Sequence, residues 1–159
     1  MSDSCIFCEI VKSQRKCHKI WEDDFHLAFL SIYPNCEGVT VVIPKKHYSS
    51  YAFELNNKVL SDLILASKKV ALLLDKAFKD VSRTALVLEG FGVNHVHAKL
   101  YPLHGTAKYK QNWEEIKSKR DDYFNQYLGY ISSHDSIREE DDKLKILAER
   151  IRNLDVDDN

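Results

Sequence analysis

Glycine and proline are scarce in this chain, at five and three among 159 residues, which excludes fibrous and low-complexity architectures. An excess of one charge is also lacking. Lys plus Arg number 23 and Asp plus Glu 24, for a net charge of -1, so no broad cationic face and no extended nucleic-acid partner are expected. A small phosphate pocket remains compatible with that balance. Long apolar runs are absent: the longest, Val70 to Leu74, falls far short of the roughly 20 residues that span a bilayer. The opening Met1-Ser2-Asp3-Ser4 carries no basic-then-apolar leader, and the expectation is a cytoplasmic protein without a membrane partner. Only four cysteines occur, Cys5, Cys8, Cys17 and Cys36, and in a reducing compartment they are expected to stay unbridged.

What is present is a core-forming composition, 44% hydrophobic and 30% charged. A chain of this length buries roughly two-thirds of its unfolded surface. Phe7 to Val11 is a short amphipathic segment, and Ile20-Trp21 a brief apolar pair. Phe25 to Ile32 reads as a strand. Val39 to Ile43 reads as a second strand, β-branched at every position and stopped by Pro44. Apolar residues recur at three- and four-residue steps from Asn57 to Val81, which predicts one long helix over a sheet face. Thr84 to Leu88 and Val93 to Tyr101 complete the strands, about five in a twisted antiparallel sheet. Beyond them, Asn112 to Lys119 suggests a short helix, Tyr123 to Ser132 is aromatic-rich, and Arg138 to Leu154 carries a helical stripe. The class is α+β, with a core domain over 1–110 and an extension over 111–159 packed on it.

Two local patterns carry chemistry. The spacing Cys5-x-x-Cys8 suits a metal knuckle or a redox pair. In Asn94-His95-Val96-His97-Ala98-Lys99-Leu100, strand alternation puts His95, His97 and Lys99 on one face and the apolar residues on the other. That polar row is open to three uses. An imidazole can attack phosphorus, since it is largely unprotonated near neutral pH. The imidazoles and Lys99 can neutralise the oxygens of a transferring phosphoryl group. Alternatively, the two histidines can bind a metal. Pro44-Lys45-Lys46-His47 and Gly90-Phe91-Gly92 flank the row in sequence as loops, but lack a dinucleotide fingerprint.

Taken together, the segments Cys5 to Val11, Trp21 to Asp24, Leu27 to Pro34, Gly38 to His47 and Val93 to Pro102 resemble the histidine triad (HIT) superfamily of nucleotide hydrolases and transferases. The resemblance covers about residues 5–105 and implies a nucleotide bound on a twisted antiparallel sheet in a homodimer. It further implies that His97 is the nucleophile and forms a transient nucleotidyl-histidine, with His95 and His47 supporting it. Phe7, Phe29, Ser31, Ile32, Leu88, Gly92, Val93 and His104 are the positions it suggests for nucleotide contact. Cys5, Cys8, His47 and His95 match the ligands of a structural zinc in part of the family, and no organic cofactor is expected.

The chain also departs from the family pattern. Lys99 occupies the third triad position, where a fixed positive charge can clamp phosphate. Leu88 and Gly92 replace leaving-group contacts, and Ser31 stands where an aspartate commonly binds ribose. His104-Gly105 and the C-terminal stretch resemble the extension of bacterial-type members, whose Tyr123, Phe124, Tyr127 and Tyr130 are candidates for a base wall or dimer face. The expected function is hydrolysis at the α-phosphorus of nucleoside phosphoramidates or dinucleoside polyphosphates, with a purine nucleoside preferred. A nucleotidyl transferase or phosphorylase, or a nucleotide-binding module with little turnover, are the alternatives.

Overall fold

Two adjacent apolar segments, Leu27 to Leu30 and Val39 to Ile43, organise the molecule. The computed structural model describes residues 5–112, 114, 116, 126 and 138–154, with elements α1 (Ile6–Val11), β1 (His18–Glu22), β2 (His26–Leu30), β3 (Thr40–Pro44), α2 (Asn57–Ala77), β4 (Thr84–Val87), β5 (Ala98–Pro102) and α3 (Asp141–Asn153). The strands form one sheet of order β1-β2-β3-β5-β4, antiparallel at every junction. The α+β class and five-stranded antiparallel sheet expected from sequence are therefore observed.

Strands β2 and β3 are buried along their full length because both faces of the sheet are covered. On one face Ala28, Leu30, Val42, Ala98 and Leu100 meet α2, through Leu63, Ala66, Val70 and Leu74, and α3, through Leu144, Ala148 and Ile151. On the other, Leu27, Phe29, Val41 and Ile43 meet Phe7 and Ile10 of α1. Coverage on both sides explains continuous apolar runs in place of strict alternation.

Helix α2 begins at Asn56, whose side chain accepts the Val59 N–H at 3.0 Å. It ends at Ala77, four residues before the expected Val81. Phe78 leaves helical geometry with φ -117° and ψ 104°, yet it and Val81 stay buried, so the apolar pattern outlasts the helix. The Phe78 ring also dictates a glycine opposite it. Gly38 has φ +84°, and a Cβ there would sit 2.5 Å from the ring.

Two other boundaries differ from expectation. The last strand begins at Ala98, not Val93, because the N–H groups of the preceding residues go elsewhere: that of His95 donates to the Val93 carbonyl at 2.8 Å and that of Val96 to the Tyr48 carbonyl at 3.1 Å. The C-terminal helix begins at Asp141, not Arg138, because the Glu139 N–H donates to the Ile32 carbonyl at 2.9 Å and Glu140 is extended. Most of the expected helix over Asn112 to Lys119, and Tyr123, Phe124, Tyr127 and Tyr130, lie outside the described residues. Among the described residues, no helix is long and apolar enough to cross a membrane.

Leu63, with no exposed surface, ties α2 to the sheet. Leu63→Ala should cost about 2–5 kcal/mol in a urea titration. Exposed Lys68→Ala should stay within about 0.5 kcal/mol of the parent.

Candidate active site and metal cluster

The segment between β3 and α2 and the segment entering β5 lie side by side. The Asn94 side chain accepts the Ser50 N–H at 3.1 Å, and Gly90 packs so closely on the Ser50 carbonyl that a Cβ would lie 2.7 Å from its oxygen. This places His47 beside His95, with ring centroids 5.0 Å apart. The start of α1 brings both cysteines to the same point. Cys5 Sγ lies 3.5 Å from His95 Nδ1, while Cys8 Sγ lies 3.7 Å from that nitrogen and 3.4 Å from His47 Nδ1. One ligand atom from each of Cys5, Cys8, His47 and His95 falls within 4.8 Å of all the others, a cluster capable of coordinating a metal ion.

The chemistry of the donors fits that use. His95 has no exposed surface, and its Nε2–H donates to the Pro44 carbonyl at 2.9 Å. A carbonyl offers no proton, so the hydrogen sits on Nε2 and the Nδ1 lone pair faces the thiols. Burial, and then the neighbouring His47 and His97, hold the His95 pKa below its ordinary value and keep the ring neutral. Burial, followed by the hydrogen bond and charge of Cys5, pushes the Cys8 thiol up. A divalent cation reverses the crowding of two thiols by making both thiolates favourable. Two thiolates and two imidazoles close a tetrahedral set, with no position left for substrate.

The same backbone sets the next histidine. His97 is 3% exposed, and its Nδ1–H donates to the His95 carbonyl at 2.8 Å, which leaves Nε2 as the unprotonated nitrogen of the neutral ring. His97 lines a cavity of about 550 Å³ together with Phe7, Phe29, Ser31, Ile32, Gly92, Val93 and Lys99. The Phe7 ring contacts both imidazoles edge-on, at 5.8 Å from His95 and 5.4 Å from His97, and so joins the cluster to the cavity. Lys99 pairs across the sheet with Val41 and Val87, and its Nζ lies 3.6 Å from Glu89 Oε1 with both side chains 15% exposed. Lys99 therefore faces inward.

The row expected on a strand is thus divided between two adjoining sites: His95 turns to the thiols, and His97 and Lys99 turn to the cavity. Two expected nucleotide contacts lie elsewhere. Leu88 packs against the α2-side core. His104 donates from Nε2 to the Glu37 carbonyl at 2.9 Å, with Nδ1 3.1 Å from Asp80 Oδ2 and Phe78 stacked edge-on at 4.9 Å. Sequence reading overlooked Glu89 and the polar group His18, Arg138 and Asp141, of which the last three line the cavity. Nothing in their spacing marks them, since α3 reaches β1 only through the fold.

Residues 12–105 match the HIT domain family. An adenosine 5′-monophosphoramidase of Schizosaccharomyces pombe is 35% identical over 72% of this chain and 92% of its own. A hypothetical histidine triad nucleotide-binding protein of Sulfolobus tokodaii superposes with TM-score 0.68 at 25% identity, over 94% of this chain and 90% of that one. A zinc-bound histidine triad family protein of Mycobacterium smegmatis shares the fold, with TM-score 0.67 and 19% identity over 99% of this chain and all of that one.

The cluster makes a direct prediction. Metal-free, reduced protein titrated with Co(II) should develop thiolate charge-transfer absorption that saturates at one equivalent. Cys8→Ser should remove most of that absorption. No such absorption from the parent protein at any Co(II) concentration would exclude the cluster as a metal site.

Proposed function

Because the chain belongs to the HIT family, we propose that it hydrolyses nucleotides at the α-phosphorus, with nucleoside phosphoramidates or dinucleoside polyphosphates as substrates. The observation that carries this reading is the pair His97 and Lys99 at one end of a single apolar-walled cavity, with the His97 tautomer set by the His95 carbonyl. The monophosphoramidase activity named for the S. pombe relative supports the substrate class.

In this reading, His97 Nε2 attacks the α-phosphorus and forms a phosphorus–nitrogen bond as the bond to the leaving group breaks. The leaving group departs with the electron pair of that bond and takes a proton from solvent. Water then attacks the same phosphorus, releases the nucleoside monophosphate and returns the electron pair to Nε2. Lys99 places a positive charge beside the phosphoryl oxygens, and the Glu89 carboxylate behind it limits the positions open to the ammonium. Phe7, Phe29 and Ile32 supply walls for the base.

We assign zinc to the cluster. Cys5, Cys8, His47 and His95 would hold it, and bound metal would supply folding free energy by fastening α1 to the segment that carries His97. The closed ligand set keeps it structural.

A two-fold dimer completes the proposal. Strand β4 is an outer strand of the sheet, Leu86 on it is 38% exposed, and Leu65 and Leu72 of α2 are more than half exposed. An edge strand beside apolar side chains is a surface that a second copy covers.

His97→Ala should lower turnover of adenosine phosphoramidate by roughly three orders of magnitude or more, while adenosine monophosphate still binds. Lys99→Ala should retain measurable turnover and bind the monophosphate more weakly. Near-parental turnover by His97→Ala would refute the nucleophile. Light scattering should give twice the 18.5 kDa chain mass, and Leu65→Glu combined with Leu72→Glu should halve it. A monomer at every concentration would refute the dimer.

A further inference from the structure

Among the described residues, four cations and one carboxylate line the cavity: Arg15, Lys16, Lys99 and Arg138 against Asp141. Lys99 lies at the His97 end, where Glu89 matches its charge at 3.6 Å. The other three gather at the far end, where the start of α3 meets the chain that joins α1 to β1. Phe7, Ile10, Phe29 and Val41 form the apolar wall of the same cavity.

Backbone and side chains together build the far end. Helix α1 closes with Ser13 in the left-handed region at φ +59°, and the Ser13 and Gln14 N–H groups donate to the Ile10 and Glu9 carbonyls at 3.0 and 2.9 Å. That turn folds the chain back on the helix. Arg15 Nε then donates to Glu9 Oε2 at 2.9 Å, an attachment that leaves the terminal amino groups of the guanidinium for another acceptor. Asp141 gathers the other two cations. Its Oδ2 accepts from Arg138 at 2.9 Å, and its Oδ1 accepts the Nε2–H of the buried His18 at 2.8 Å. Lys16 Nζ lies 3.9 Å from that same Oδ1, close enough for attraction and too far for a hydrogen bond. The hydrogen bonds of Arg138 and His18, in that order, and the charges of Arg138 and Lys16 hold the Asp141 carboxyl down to about 2. Even with Glu9 counted beside Asp141, three cations face two carboxylates, and one positive charge is left over.

Cations at both ends and apolar walls fit a ligand with two separate anionic groups and a flat apolar body. The first anion is the phosphoryl group presented to His97. A polyphosphate chain does not supply the second, because in-line attack by His97 sends the leaving group away from the nucleoside. The nucleoside itself must carry it, and the hydroxyls of the ribose are where it can. We propose that Arg15, Lys16 and Arg138 form a second phosphate site, which gives the cavity a preference for nucleotides phosphorylated on the 2′- or 3′-hydroxyl as well as at the 5′ position. The proposal rests on the nucleotide reading given above and narrows its substrate class. The three residues are specificity residues in this scheme and take no part in attack at phosphorus.

The test needs no turnover. Calorimetric titration of the full-length protein compares adenosine monophosphate with adenosine 2′,5′-bisphosphate, adenosine 3′,5′-bisphosphate and adenosine diphosphate. One of the two ribose bisphosphates should bind about tenfold tighter than the monophosphate, the scale of a charge-assisted hydrogen bond, and which one does so identifies the hydroxyl. The diphosphate should gain less than about threefold. Raising NaCl from about 50 to about 300 mM should remove most of the bisphosphate advantage, since these cations are half or more in contact with solvent. In Arg15→Gln combined with Lys16→Gln the ratio of bisphosphate to monophosphate affinity should fall to within about twofold. Both side chains are exposed, so the pair of substitutions spares the core, and Lys16→Glu alone should lower the ratio as well. Equal affinity of the parent protein for the monophosphate and both bisphosphates would overturn the proposal and leave the hydrolase reading standing. So would an unchanged ratio in the double variant, or an equal gain with the diphosphate, which would put the second phosphate on the leaving-group side. No binding of any of the four would overturn both readings together.

Discussion

The Pro44 carbonyl and the buried ring of His95 form the contact on which the site depends. A buried imidazole must satisfy both nitrogens, and the carbonyl claims the proton of one at 2.9 Å. The other nitrogen is thereby presented as a lone pair to Cys5 and Cys8. The carbonyl of the same His95 then claims the Nδ1 proton of His97. Two imidazole tautomers, one facing the thiols and one facing the cavity, thus follow from a proline carbonyl at the end of β3 and a backbone that turns just before β5. Any shift of that strand end would disturb both.

Covering both faces of the sheet is what makes this arrangement rigid. Helices α2 and α3 bury one face and α1 the other, so β2 and β3 have almost no freedom to slide in register. Helix α1 is short, six residues, and too short to persist alone. Its place is secured by Phe7 against Phe29 and the two histidines, and by the thiols at its start. The short helix therefore walls the cavity and supplies both thiols of the cysteine–histidine cluster at once, and loss of either contact should be felt by the other.

Charged groups lie at both ends of the cavity. At one end Lys99 sits against Glu89, and at the other Asp141 sits among His18, Lys16 and Arg138. Each charge is matched by a neighbour, which keeps the apolar middle of the cavity from facing an isolated ion. Helix α3 carries Leu144, Ala148 and Ile151 into the common core and Asp141 to the cavity rim. One element thereby contributes to stability along one face and to the site at its first turn.

Much of this was legible in the order of residues. Alternation separated Val96, Ala98 and Leu100, which join the α2-side core, from His97 and Lys99, which line the cavity, and from His95, which faces the thiols. The three- and four-residue steps of α2 showed its buried stripe, though Phe78 and Val81 lengthened the apparent helix, since burial depends on apolar character and not on helical geometry. The two-residue gap between Cys5 and Cys8 announced a pair of thiols, and the resemblance to the HIT family supplied their partners. Tertiary structure alone decided the rest. Local sequence carries no record of which carbonyl meets His95, of Glu89 behind Lys99, or of the 123-residue separation closed between His18 and Asp141. Periodicity reports which face a side chain takes within its own element. The groups opposite that face are chosen by packing between elements distant in the chain, and those contacts exist only once the sheet and its two covers have closed.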